Sequence, residues 1–162
     1  MSGPSLADKQ RFLGLAIAEA VAGARAGRGG PFGAVVVKDG IVIAKAANAV
    51  VANNDPTAHA EVQAIRAACA SLGSFQLEGC DIYASCEPCP MCLGAILWAR
   101  PRALYFAATR DDAAGAGFDD AIFHQALAAR SATAPVPREQ VPCADASAPF
   151  VAYASLPGRV RY

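Results

Sequence analysis

His59-Ala60-Glu61 and, thirty positions on, Pro88-Cys89-Pro90-Met91-Cys92 constrain this chain more than any other feature. One imidazole and two thiolates are three ligands for a tetrahedral zinc, with the fourth position left for a reactant. A structural zinc site would close with four protein ligands, and the other histidine, His124, falls in a predicted helix as a surface residue. Cys86 is a rival ligand, but it lies on the strand side of Pro88. Cys89 and Cys92 are one helical turn apart, so both sulfurs reach one face. Pro88 suits a helix start, where the missing N–H costs nothing, and the positive end of the helix dipole favours thiolates. His59 and Glu61 point to nearly opposite faces of a regular helix. They converge only if the metal lies off that helix's N-terminal end. Two helix N-termini would then face one zinc from the same side of a sheet.

The rest of the chain supplies such a scaffold. Ser5 can cap a helix with Asp8 at its third position, and Phe12, Leu13, Ala16, Ile17, Ala20 and Val21 repeat at helical spacing. Ala34–Val37 and Ile41–Ala46 are strand-like runs around Asp39-Gly40, a hairpin signal. Asp55 or Thr57 can cap the helix that carries His59, which Gly73 should stop after Leu72. A third strand is expected near Cys80–Ser85, the second zinc helix from Pro88, and a fourth strand over Ala103–Ala107. Gly115–Gly117 reads as a flexible corner, Asp119–Ala129 as a helix, and the proline-rich stretch 131–149 as an extended connection before a short helix from Ser147. Strands alternating with helices imply a layered α/β domain.

Composition narrows the function classes. A chain of 162 residues, 54% hydrophobic, suits one well-filled domain. No apolar run is long enough for a membrane span, and the first residues lack the layout of a signal peptide, so the cytoplasm is the expected location. Fourteen basic residues balance fourteen acidic ones, and the basic residues are scattered, which argues against nucleic acid as a partner. Six cysteines without a secretory context point to metal binding rather than disulfides; Cys69 and Cys80 read as buried thiols, and Cys143 has no assigned role.

H-x-E followed by P-C-x-x-C is the signature of zinc-dependent nucleobase deaminases. Gly30-Pro31-Phe32-Gly33-Ala34-Val35, the run Asn53 to Glu61, Ser85 to Cys92, Ile96 to Pro101 and Ala116-Gly117-Phe118-Asp119-Asp120 resemble the bacterial guanine deaminase branch of the cytidine-deaminase-like superfamily. The resemblance runs from about residue 6 to residue 128. It implies a three-layer α/β/α fold with a mixed central sheet and helices on both faces. It further implies one zinc per chain on His59, Cys89 and Cys92, with Glu61 as proton shuttle. A purine pocket would be formed by Phe32, Asn48, Ala60 and Trp98, with Asn48 hydrogen-bonding the ring and Phe32 stacking on it. Asp120 would be a second proton-handling or substrate-binding carboxylate, with Asp119 its rival and helix capping the plainer role for both. For Phe32 and Trp98 the plainer role is core packing. Residues 1–130 would be the deaminase core, and 131–162 an arm exchanged with a partner subunit in a homodimer, bringing Tyr162 to the partner's site. The tail departs from the branch's pattern, since Ala152 to Gly158 is apolar and broken.

The expected reaction is guanine to xanthine and ammonia. Ammeline, guanosine or cytosine would need only a different pocket around the same metal. Adenosine in tRNA would need a basic surface, and a non-catalytic zinc-stabilised interaction protein would have no use for Glu61.

Overall fold

The computed structural model describes residues 3–118, 121–128, 140–142, 147–155, 157 and 158. Packing divides the chain into two units, Met1–Ala121 and Ile122–Tyr162. The first holds four strands, β1 (Gly33–Lys38), β2 (Ile41–Ala47), β3 (Cys80–Cys86) and β4 (Ala103–Ala108). It also holds helices α1 (Leu6–Arg25), α2 (Val50–Asn53), α3 (Ala60–Leu72), α4 (Pro90–Ala99) and α5 (Arg110–Gly115). The second holds α7 (Ala148–Ala154) and all but the first residue of α6 (Ala121–Ala128).

The sheet runs β2-β1-β3-β4, with β1 antiparallel to both neighbours and β3 parallel to β4. It is therefore the mixed sheet expected. Side chains alternate across it. Val35 and Val37 of β1 and Tyr83 of β3 pack with Phe12 and Ala16 of α1. Ala34, Val36 and Ile82 face the other way, onto Ala60, Ala64 and Ala68 of α3 and Ile96 and Ala99 of α4. Three layers result, with α3 and α4 together on one side. Gly33 lets α1 lie close on the sheet, since a Cβ there would lie 2.1 Å from the Ala16 carbonyl oxygen and 2.6 Å from Ala20 N.

Several local expectations hold. Ser5 Oγ accepts the Asp8 N–H at the start of α1. Asp39 and Gly40 both take positive φ, 50° and 79°, as a two-residue type I′ hairpin turn requires. Gly73 ends α3 in the left-handed region. Others need correction. Neither Asp55 nor Thr57 caps α3; His59 itself is the N-cap, because Asp55 Oδ1 is occupied by the Thr57 N–H and hydroxyl. Cys89 rather than Pro88 begins the second zinc helix, with Pro90 at its first position. The corner at Gly115–Gly117 is the end of α5, which Thr109 opens with a capping box to Asp112.

Candidate metal centre

Each metal-site side chain sits at a helix start because the chain before it is held. Asp55 Oδ1 accepts from Thr57 N at 2.8 Å and from Thr57 Oγ1 at 2.7 Å, and the His59 N–H donates to the Thr57 carbonyl at 2.8 Å. That turn delivers His59 with extended backbone, φ −67° and ψ 153°. Its ring therefore projects off the end of α3 rather than along its side. Glu61 is then the second residue of α3, a first-turn position. Cys89 mirrors His59, as the N-cap of α4 with φ −64° and ψ 167°, and Cys92 follows one turn on.

The imidazole Nδ1 of His59 lies 3.6 Å from Cys89 Sγ and 3.4 Å from Cys92 Sγ. Zinc bonds of roughly 2.0 Å to nitrogen and 2.3 Å to sulfur at a tetrahedral angle separate N from S by about 3.6 Å. The three ligand atoms all fall within 4.8 Å of one another. One borderline nitrogen and two thiolates are a donor set that zinc favours. Cys86 stays out of this cluster, its thiol donating to the Thr109 carbonyl oxygen at 3.4 Å.

Charge in the cluster is shared unevenly. The Cys92 thiol hydrogen-bonds the Cys89 sulfur, and together with His59 this lowers the Cys89 thiol to about 4. Cys92 moves the opposite way, first because its proton is held by Cys89 and then through burial. Glu61, 7% exposed, touches the same group, with Cys92 Sγ 3.4 Å from its Oε2. Burial raises the Glu61 carboxyl above the ordinary carboxylate range. The arrangement is three convergent ligands and one buried proton carrier beside them.

The pocket residues are less uniformly placed. Asn48 is 4% exposed, and its Oδ1 accepts from both Gly30 N and Val50 N at 3.2 Å. Two N–H groups on one atom identify that atom as the oxygen, so Nδ2 is the group left to donate. Gly29 permits this, since a Cβ there would lie 2.1 Å from Asn48 Oδ1. Ala60 is fully buried at the start of α3, its methyl in the core beneath the cluster. Phe32 is half-buried and meets Phe118 edge-on, ring centroids 5.0 Å apart. Phe32, Phe118, Pro31, Ser85, Cys86 and Ala108 are among the residues that line a cleft of about 320 Å³, which His59, Glu61, Cys89, Cys92, Asn48 and Ala60 do not line. Trp98, 63% exposed on α4, is not packed in the core and does not line that cleft. Asp119, Asp120 and Tyr162 lie outside the described residues.

Two contributors were missed from the sequence, Phe118 and α5. The Thr109-x-x-Asp112 capping box was the signal for that short helix.

Residues 6–108 match the family model described as the cytidine and deoxycytidylate deaminase zinc-binding region. The chain is 50% identical over 153 residues to a guanine deaminase of Bacillus subtilis, covering 94% of this chain and 98% of that one. A solved structure of guanine deaminase from the same organism superposes with a TM-score of 0.91, over the same shares of the two chains. A tRNA-specific adenosine deaminase of Agrobacterium fabrum is 46% identical over 103 residues, 64% of this chain and 67% of its own length.

Proposed function

We infer the reaction from one premise: the chain belongs to the cytidine and deoxycytidylate deaminase zinc-binding family. The substrate is guanine, hydrolysed at C2 to xanthine and ammonia. The observation that carries this is the cluster of His59 Nδ1 with two cysteine sulfurs at 3.4–3.6 Å beside the buried Glu61, in a chain half identical to a guanine deaminase along 94% of its length.

One zinc is held per chain by His59, Cys89 and Cys92. Bound there, it supplies a Lewis acid that makes water a nucleophile near neutral pH. Glu61 takes a proton from the attacking water and passes it to the ring nitrogen beside C2. Glu61, again a carboxylate, then takes the proton of the hydroxyl newly bonded to C2 and delivers it to the amine, so that the C2=O carbonyl forms as the C2–N bond breaks and ammonia leaves. The raised affinity of Glu61 for protons suits a group that must both accept and return one.

Recognition uses groups already oriented for other reasons. Asn48 Nδ2 donates to an acceptor edge of the purine, its amide oriented by the two N–H groups on Oδ1. The Ala60 N–H, in the first turn of α3, has no acceptor within its own helix and addresses a ring acceptor. Phe32 stacks on the purine, and Trp98, exposed on its own chain, closes the pocket from outside. Asp120 is the second carboxylate. The enzyme works in the cytoplasm as a homodimer, the arm 131–162 exchanged so that Tyr162 reaches the partner's pocket. No described helix is long and apolar enough to cross a membrane.

The test is ammonia release from guanine, guanosine, cytosine and ammeline by the purified zinc-loaded protein, with and without a chelator. Guanine should be the preferred substrate and chelation should abolish turnover. Preference for any other member of the panel refutes the substrate assignment, and chelator-resistant turnover refutes the role of the metal.

A further inference from the structure

Glu87 sits between the metal loop and a helix that carries no metal ligand. Its N–H donates to the Ala108 carbonyl at 2.8 Å, continuing the pairing of β3 with β4. Its Oε2 accepts the Arg110 N–H at 3.2 Å, and Oε1 stands 3.7 Å from Arg110 Nε. Arg110 is the first residue of α5, and its N–H is one of the donors that an α-helix cannot satisfy internally. A carboxylate there also complements the positive end of the helix dipole. Glu87 therefore anchors α5 from 23 residues away. On its other side Pro88 alone separates it from Cys89.

The far end of α5 leads to the aromatic pair. Gly117 takes φ 90°, and the Phe118 N–H turns back to the Ala113 carbonyl at 3.0 Å. Phe118 thereby meets Phe32 edge-on at 5.0 Å. A Cβ on Gly30 would sit 3.3 Å from the Phe118 ring, so the loop, Phe32 and Phe118 are closely fitted. The capping box of Thr109 with Asp112 lies within the start of α5 and cannot place the helix on the sheet. Among the described residues, the side-chain hydrogen bonds between the metal loop and the start of α5 are that of Glu87 and the weak Cys86 thiol bond to the Thr109 carbonyl at 3.4 Å.

We propose that Glu87 is a positioning residue: its carboxylate holds the start of α5, and through α5 the Phe118 ring against Phe32, in register with the loop that delivers Cys89. This rests on the reading of Phe32 as a wall of the guanine pocket. The metal loop is restrained by the sheet and, when loaded, by the zinc; α5 is short, carries no metal ligand, and is joined to the sheet only at its start, through Thr109. Losing Glu87 thus loosens the pocket wall and leaves the metal bound.

The experiment compares Glu87→Ala, Glu87→Gln and Arg110→Ala as zinc-loaded protein. Glu87→Ala should speed amide exchange over residues 110–118 and raise KM for guanine about five- to tenfold, the worth of one ordinary net hydrogen bond, with kcat within about twofold. Its zinc per chain should equal that of the wild type. Glu87→Gln keeps an acceptor for the Arg110 N–H and should restore most of the KM. Arg110→Ala keeps the backbone donor and loses only an exposed ion pair, so it should match the wild type. Unchanged exchange in Glu87→Ala overturns the proposal. So does a loss of zinc with KM intact, which would place Glu87 in service of the metal loop. If the wild type itself releases no ammonia from guanine, the substrate reading fails, while the exchange comparison still decides what Glu87 does.

Discussion

Replacing Glu61 by glutamine separates the chemical role of this side chain from its structural one. The change keeps shape and volume but removes the ability to accept a proton. General acid–base catalysis by a single group contributes about 10²–10⁴-fold, and here one carboxyl serves both the attacking water and the leaving amine. Turnover should therefore fall toward the upper end, about 10⁴-fold, with zinc retained, because Glu61 is not among the convergent ligands. Stability should move the other way. Glu61 is 7% exposed and burial raises its carboxyl, so ionising it in the folded protein costs free energy. A folded-state value above the unfolded one contributes stability that is complete below the unfolded value and is lost as pH rises through the folded one. Each tenfold displacement of the ionisation constant is worth about 1.4 kcal/mol, and glutamine avoids that loss altogether. The assays are ammonia release and urea unfolding of zinc-stripped wild type and variant at pH 4 and pH 7.5. The difference in stability should favour the variant, and by more at pH 7.5. Residual turnover above about a hundredth of the wild type would refute the proton role. A stability difference that does not grow with pH would refute the burial argument.

Three further outcomes follow from the geometry. In zinc-stripped protein at pH 6, iodoacetamide should label Cys89, already a thiolate through its hydrogen bond from Cys92, well before Cys92; zinc should protect both, and peptide mass mapping reads the order. Arg102→Ala should lower the urea-unfolding midpoint, because Asp81 is 2% exposed and would lose a two-point partner, Arg102 Nε being 2.9 Å from its Oδ1. Tyr83→Phe should leave stability unchanged or raise it by about 1 kcal/mol in the same assay, since the buried Tyr83 hydroxyl has no hydrogen-bond partner among the described residues.

The parts of this architecture that were legible in the sequence are those that local chemistry dictates. Asp39-Gly40 could hardly be other than a tight hairpin, and the histidine and two cysteines had to meet where two helices begin. Capping was misread because Asp55 is a good cap by type, yet its oxygen closes a turn with Thr57 two residues on. Pro88 and Pro90 are both plausible first-turn prolines, and only the backbone of Cys89 decides between them. Two helices of four and six residues, α2 and α5, are too short for periodicity to reveal. The facing of Trp98 was hidden for the opposite reason. Helix α4 is apolar on every side, with Leu93, Leu97 and Trp98 exposed and Cys92, Ile96 and Ala99 buried, so no stripe marks its inner face.

The pairing of His59 and Cys89 as twin helix caps has a mechanical consequence. These positions stand 30 residues apart, and a metal that bridges them ties off that stretch of chain much as a disulfide would. Closing a loop of that size restricts the unfolded chain by about 3–4 kcal/mol on the usual entropic account. The knot lies at the tips of α3 and α4 and bridges no two strands, so stripping the metal should let those first turns fray while the sheet stays paired. A centre made for reactivity would thus double as the clasp that keeps two helices side by side.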